Sequence, residues 1–339
     1  MNRNILTITA TLTVAATTAQ ADPAGLRLFD IDMPHHGQPT MAALWYPAGG
    51  GGTETTFAAN AVFQGVTAAE DAPVAEGVHP VVLLSHGMGG GIESTAWLAS
   101  GLAERGAVVI AVNHLGTTWR AFDMSEGIAH WTRAWDLSTA LDAILADPAL
   151  DGHTDPTRVM AAGFSYGGWT ALSLGGAGGN HAGAVAACED HAGEMELCDM
   201  LMSPEVDMAG VDPDAWNDDY ADPRVTHVAA LDPGFVWGPE ADDLTGLVDD
   251  VLLIGLGDET TRLVATDFDR SGFAAMIPQA QVARMVPAVH FTGMPLCTDR
   301  GPAILEDEQD DPVCTDPEGT DRAGAHAAVI GLMAAQIGL

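Results

Sequence analysis

The chain contains no lysine, and its 12 arginines face 47 acidic residues, which gives a formal net charge of -35. A field of this sign repels phosphate backbones and anionic lipid headgroups, because like charges repel one another at binding distances. We therefore expect neither nucleic acid nor an anionic membrane surface as a partner. The same charge suits a protein kept soluble in a salty exterior, where dissolved ions screen its self-repulsion.

Long apolar runs are also scarce. After the first 21 residues no segment approaches the roughly 20 unbroken apolar residues of a membrane span. Before that point, Arg3 precedes a mostly apolar stretch at 5–16, and Ala19-Gln20-Ala21 has the small-x-small pattern that signal peptidase recognises. The sequence predicts a signal peptide over residues 1–21, with the mature chain starting at Asp22 in the periplasm or outside the cell.

Cysteine is limited to four residues in two sequence-near pairs. An exported protein meets an oxidising compartment, which allows disulfides, although four cysteines permit three connectivities. We favour Cys188 with Cys198 and Cys297 with Cys314. Neither pair has the two-to-four-residue spacing of structural zinc ligands, so no metal site is predicted.

The length of 339 residues suits one large α/β domain, which we place at 22–339. Buried strands and helices alternate along it, and this order is typical of a doubly wound, mostly parallel sheet covered on both faces. An edge hairpin is expected at 26–32 and 40–46. The expected core strands lie at 81–84, 107–113, 158–163, 226–231, 251–255 and 283–289, and the helices at 94–105, 128–146 and 167–174.

Gly163-Phe164-Ser165-Tyr166-Gly167 carries the pattern Gly-x-Ser-x-Gly. The motif follows the predicted strand at 158–163 and opens the predicted helix at 167–174, which is the strand-turn-helix context of a nucleophile elbow. The helix N-terminus behind the serine adds partial positive charge where an oxyanion would form. We therefore predict Ser165 as the nucleophile and the amide of Tyr166 as one oxyanion donor.

The general base should be a histidine late in the chain, since this fold orders its triad as serine, acid, histidine. His290 follows the predicted last strand, whereas His326 lies in a C-terminal helix, and we favour His290. Two aspartates that end strands compete for the acid. Asp258 follows the strand at 251–257 and is our first choice, and Asp232, one strand earlier, is the alternative.

On these motifs the chain resembles the dienelactone-hydrolase and platelet-activating-factor-acetylhydrolase-like group of α/β-hydrolases over nearly the whole mature length. Ser85-His86-Gly87-Met88 resembles the His-Gly oxyanion loop of the superfamily, which implies the amide of Met88 as the second donor. Ala230-Leu231-Asp232 resembles the acid segment of the acetylhydrolase branch. Dienelactone hydrolases proper use a cysteine nucleophile, so Ser165 favours an ester or thioester substrate instead.

The segment 175–223 is an acidic insertion after the nucleophile helix, and it is interpreted either as a lid or as a surface loop. The sequence as a whole predicts a serine-dependent carboxylic ester hydrolase that needs no metal or organic cofactor and acts on a small-molecule or lipid ester. We expect neutral short-chain esters to react best. The alternative is a catalytically silent, exported binding protein with the same fold.

Overall fold

The computed structural model describes residues 23–339. The expected signal peptide lies outside the described residues. Within them, ten strands form one sheet in the order β10-β9-β8-β7-β5-β6-β2-β1-β4-β3. The strands are β1 (Gly25–Met33), β2 (Gln38–Tyr46), β3 (Thr53–Phe57), β4 (Val66–Glu70), β5 (His79–Ser85), β6 (Val108–Val112), β7 (Thr154–Phe164), β8 (His227–Leu231), β9 (Asp250–Leu256) and β10 (Gln281–Met285).

The six strands from β10 to β6 run parallel, as the alternation of strands and helices predicts. The hairpin of β1 and β2 adds antiparallel to β6. It does not form the edge of the sheet, however, because β4 pairs with β1 and β3 closes that side.

Helices cover both faces of this sheet. They are α1 (Ala96–Ala103), α2 (Met124–Gly127), α3 (Trp131–Leu145), α4 (Tyr166–Leu174), α5 (His181–Asp190), α6 (Cys198–Leu201), α7 (Pro213–Asn217), α8 (Gly301–Glu308) and α9 (Arg322–Gln336). In residues 23–339, no helix has both the length and the apolar character needed to cross a bilayer.

The core has two halves, one on each face of the sheet, because successive strand side chains point to opposite sides. Val81 and Leu83 of β5 pack in the half that contains α3 and α4. Val82 and Leu84 pack in the half that contains α1 and α9. Burial on both faces explains why these strands are continuous apolar runs rather than alternating ones.

The carboxyl ends of the parallel strands carry the loops that matter for function. Ser165 follows β7, Asp232 follows β8 and the oxyanion-loop candidate follows β5. The strand expected at 283–289 ends earlier, at Met285. Pro287 has no N–H for a ladder hydrogen bond, and His290 instead opens a short 3-10 turn.

Candidate active site

Ser165 lies on a tight turn between β7 and α4, with φ of 57° in the left-handed region that side chains rarely adopt. Two glycines make this turn possible. A Cβ at Gly163 would overlap the carbonyl of Gly167, and a Cβ at Gly167 would overlap the carbonyl of Ser85. The Gly-x-Ser-x-Gly pattern is therefore a steric requirement of the turn, and the turn exposes the serine hydroxyl above the sheet.

His290 lies next to this hydroxyl, with its Nε2 3.1 Å from Ser165 Oγ. Its ring stacks on Phe164, the residue before the nucleophile, at 4.7 Å between ring centroids. His326, the rejected candidate, bonds through Nε2 to the carbonyl of Thr292 at 2.9 Å and stacks on Trp97. It therefore supports the turn that carries His290 and is not paired with the serine.

Asp232 is the acid that meets His290. Its Oδ2 lies 2.6 Å from His290 Nδ1, and the carboxylate is completely buried. The amide of Leu256 donates to Oδ1 at 2.8 Å, and the hydroxyl of Thr266 donates to Oδ2 at 2.9 Å. These donors orient the buried carboxylate and satisfy its acceptor atoms, which a buried polar group requires.

The carboxylate that contacts His290 is that of Asp232, the alternative, whereas our first choice was Asp258. That side chain is exposed at the end of β9, and its Oδ1 accepts hydrogen bonds from the amide and hydroxyl of Thr260. It stabilises its own turn and does not face the histidine. Both aspartates follow a strand, and the difference between them lies in the backbone, since Asp232 has a φ of 45° that turns its side chain under His290.

The two expected oxyanion donors flank the serine. Tyr166 begins α4, and Met88 lies in the loop after β5; both border the same cavity as Ser165 and His290. Among residues 23–339 the amide of Met88 has no hydrogen-bond acceptor. An amide left free beside a nucleophile is available for the negative oxygen of a tetrahedral intermediate.

A buried arginine behind the oxyanion loop was missed by the sequence reasoning. Arg133 of α3 donates to the carbonyl of His86, to Ser85 Oγ at 3.0 Å and to Thr170 Oγ1 at 2.9 Å. Its guanidinium carbon lies 4.4 Å from the ring centroid of Tyr166. Arg133 thereby connects the loop that carries Met88 to the helix that begins at Tyr166. The sequence did contain a signal for this role, an arginine within the apolar helix predicted at 128–146.

Burial disfavours the charge on Arg133 and lowers its pKa to about 10. Burial likewise raises the pKa of Tyr166 above its usual range, although the arginine acts against the shift. The phenol instead donates to the carbonyl of Gly127 at 2.8 Å. Both groups therefore hold the site in shape at neutral pH, with the arginine charged and the tyrosine neutral.

A cavity of about 520 Å³ opens over Ser165. The segment at 175–223 forms one wall through α5 and α6, and the loop after β8 contributes Phe235 and Trp237. The lining of the whole cavity is mainly apolar and includes four methionines: Met88, Met195, Met200 and Met208. Glu196 and Asp311 are its acidic members.

The cysteines pair as Cys188 with Cys198 and Cys297 with Cys314. The first disulfide borders the cavity and joins α5 to α6. The second closes the loop that contains α8. Within the described residues no cysteine is free.

The chain has an α/β-hydrolase-like fold, a mostly parallel sheet with the serine turn at the end of β7. The family model of the prolyl oligopeptidase family matches residues 92–205, about a third of the chain, including the serine turn but neither His290 nor Asp232. A solved structure of a ferulic acid esterase from Streptomyces cinnamoneus is similar at a TM-score of 0.59 and 22% sequence identity, over 95% of this chain and 91% of that one. No curated protein sequence matches. The narrower resemblance to the dienelactone-hydrolase and acetylhydrolase-like group stays a prediction.

Proposed function

We propose that the protein is a serine-dependent carboxylic ester hydrolase that works through an acyl-enzyme on Ser165. The observation that carries the proposal is the continuous array Ser165, His290 and Asp232, with separations of 3.1 Å and 2.6 Å, at the floor of an apolar cavity. Serine, histidine and aspartate in this order of contact make up the acyl-transfer triad.

In the proposed reaction the Ser165 proton passes to His290 Nε2 as Oγ attacks the ester carbonyl carbon. The amides of Tyr166 and Met88 receive the oxyanion. His290 then returns the proton to the leaving alcohol, and a water molecule, deprotonated by the same histidine, releases the acid. Asp232 fixes the imidazole orientation and stabilises its positive charge. This chemistry is complete without a metal or organic cofactor.

The proposed substrates are neutral esters with an apolar acyl group. The cavity wall is apolar, and methionine side chains adapt to acyl groups of varied shape. The chain's net charge of -35, with Glu196 and Asp311 at the cavity, disfavours an anionic substrate. We further propose that the insertion at 175–223 acts as a cap over the acyl group, since α5 and α6 border the cavity.

The test is the hydrolysis of p-nitrophenyl esters, from acetate to laurate, by the wild type, by Ser165→Ala and by a matched pair of acid variants. We expect Ser165→Ala to lower kcat by about 10⁴-fold or more. Asp232→Asn should lower kcat by roughly 10³- to 10⁴-fold, because the histidine loses its orienting carboxylate. Asp258→Asn, which changes an exposed turn, should stay within about twofold of the wild type.

A larger loss from Asp258→Asn than from Asp232→Asn would contradict the proposed acid. A folded wild type that cleaves no ester and leaves a fluorophosphonate probe unreacted would support the silent binding protein instead. Because the family model that matches is that of the prolyl oligopeptidases, a proline p-nitroanilide belongs in the same series. Preference for the anilide over every ester would move the proposal to peptide hydrolysis.

A further inference from the structure

A second cluster of titratable side chains lies apart from the serine, where the turn between β1 and β2 meets α3. The turn presents two consecutive histidines, His35 and His36, to Asp136 of the helix. His35 Nε2 lies 2.8 Å from Asp136 Oδ1, and His36 Nε2 lies 2.9 Å from the same oxygen. The ring centroids of the two histidines are 4.2 Å apart. Three possible ligand atoms therefore converge on one point, all within 4.8 Å of one another.

His36 is the member that hydrogen bonding leaves unexplained. Its side chain is 10% exposed, and its Nε2 is buried without a hydrogen-bond partner in the described chain, despite the short distance to Asp136. The contact between His36 Nε2 and Asp136 is thus short but not aligned as a hydrogen bond, and such a bond weakens steeply when its angle is poor. The lone pair of this nitrogen would be satisfied by a ligand placed between it and the carboxylate.

The carboxylate of Asp136 is held in place by a contact through its second oxygen. Asp136 is completely buried, and its other oxygen, Oδ2, lies 2.7 Å from Nδ1 of the buried His114. His114 Nε2 is in turn 2.9 Å from Ser85 Oγ. These contacts fix the plane of the carboxylate and leave Oδ1 to the two histidines, in the way that outer hydrogen bonds orient metal ligands.

We propose that His35, His36 and Asp136 bind one divalent transition metal ion, and that Zn²⁺ is the ion they suit best. Two imidazoles and one carboxylate match the ligand preferences of zinc, whereas calcium and magnesium prefer oxygen ligands alone. His35 keeps 16% of its side chain exposed, so a water molecule can complete a tetrahedron from the solvent side. With Zn²⁺ bonds of about 2.0–2.1 Å the ligand atoms of a tetrahedral site lie about 3.3 Å apart, so each histidine nitrogen would move a few tenths of an ångström away from Asp136 Oδ1.

The ion would tie the β1–β2 turn to α3, two elements about 100 residues apart in the sequence. Its role is structural, and it has no part in the proposed ester chemistry. Our expectation of no metal site rested on cysteine spacing alone, which did not test histidines brought together by the fold. A net charge of -35 further favours the uptake of a cation.

The test uses the untagged protein, stripped of metal with EDTA and then dialysed against Zn²⁺ or Co²⁺. We expect one equivalent of bound metal by elemental analysis and a visible Co²⁺ absorption band typical of tetrahedral nitrogen and oxygen ligands. The thermal midpoint should rise with Zn²⁺ and not with Mg²⁺, since a ligand that binds only the folded state stabilises it.

The variants His35→Asn and His36→Asn should each weaken Zn²⁺ binding by at least about tenfold and remove most of the thermal shift. They change the outer side of the cluster and leave the buried carboxylate and His114 in place, so the fold should persist. His153→Asn, outside the cluster, is the matched control and should bind like the wild type, as should Ser165→Ala. The proposal would be overturned if the wild type failed to bind one equivalent of Zn²⁺, or if both cluster variants bound Zn²⁺ as tightly as the wild type. Either result would count whatever the esterase assays show.

Discussion

At the scale of single residues, the site combines strained backbone with tight hydrogen bonding. Ser165 and Asp232 both have positive φ, at 57° and 45°. Each such residue costs of the order of 1–3 kcal/mol and persists only where the surroundings enforce it. Here they do, because the amide of Ser165 donates to Leu231 at 2.9 Å and the amide of Asp232 donates to Ile254 at 2.6 Å. Neighbouring strands thus hold both side chains in position before any substrate binds.

His130 illustrates a different consequence of burial and gives a pH-dependent prediction. It lies at the start of α3, completely buried among aromatic rings, with Nε2 3.0 Å from the carbonyl of Trp216. Burial disfavours the imidazolium and lowers its pKa to about 4, although the bond to Trp216 acts in the opposite direction. In the unfolded chain a histidine titrates near 6.5. Between these values the unfolded state takes up a proton that the folded state does not.

The free energy of unfolding should therefore be unaffected by His130 above about pH 6.5 and should fall as the pH drops from there toward 4. His130→Gln keeps a donor for the Trp216 carbonyl and removes the titration. We expect the decrease in stability from pH 7 to pH 4.5 to be smaller in this variant by roughly 2 kcal/mol. Urea unfolding at both pH values measures it, with His153→Gln as the control. An identical decrease in wild type and His130→Gln would count against the shifted pKa.

At the scale of elements, the segment at 175–223 differs from the rest of the chain in how it is held together. Its helices α5, α6 and α7 contribute to the cavity side of one core half, and α5 contacts mainly α7 and the turn at Met208–Gly210. The disulfide between Cys188 and Cys198 closes a short loop across the cavity wall. A segment of short helices with a covalent cross-link depends on that link for its shape.

We accordingly expect the double variant Cys188→Ser, Cys198→Ser to affect binding of the acyl group more than the chemistry, given the proposed ester hydrolysis. KM for p-nitrophenyl esters of butyrate and longer acids should rise severalfold, while kcat/KM for acetate should change by less than about twofold. Steady-state kinetics across the ester series measures this. Removing the other disulfide, by Cys297→Ser and Cys314→Ser, should lower the thermal midpoint. It should leave the dependence of KM on acyl chain length unchanged. A uniform loss across all esters would show that the cap does not select the acyl group.

The elements that the sequence predicted well are those with a strong local signal. The buried strands β5 and β6 are unbroken runs of β-branched and apolar residues. By contrast, β3 and β4 were missed, because their threonine, glutamate and alanine content gives no clear alternation. They exist through pairing with each other and with β1, which is a tertiary effect.

The same distinction applies to the site. Ser165 was predictable because the glycines of its motif lie next to it in the sequence. The choice of the acid depended on which of two aspartates that follow a strand turns beneath the histidine. Both Asp232 and Asp258 satisfy the local pattern, and only the backbone angle and depth of burial separate them. The contact between His36 and Asp136 joins residues 100 positions apart, and no local pattern indicates it.

At the scale of the whole molecule, the dominant feature is the excess of negative charge. Several arginines are already paired with carboxylates, including Arg224 with Asp222 and Arg262 with Asp267. The sequence has 47 acidic residues and 12 arginines, and within residues 23–339 most carboxylates take part in no ion pair. Their mutual repulsion opposes the compact state, and it weakens as salt shortens the screening length from about 10 Å at 0.1 M to about 3 Å at 1 M.

The thermal midpoint should therefore rise by several degrees between 0.05 M and 1 M NaCl, because the screening of repulsion among many carboxylates outweighs the weakening of a few ion pairs.

The end of α8 offers a local test, since Glu306, Asp307 and Glu308 are exposed in its last turn, where the helix dipole also disfavours negative charge. Neutralising all three as Glu306→Gln, Asp307→Asn and Glu308→Gln should raise the midpoint at low salt and reduce its dependence on NaCl. Replacing NaCl by sucrose separates screening from general solute exclusion, since only the ionic solute should distinguish the variant from the wild type. A midpoint that does not change with NaCl, or an equal salt slope in both proteins, would mean that burial of the core alone sets the stability of this fold.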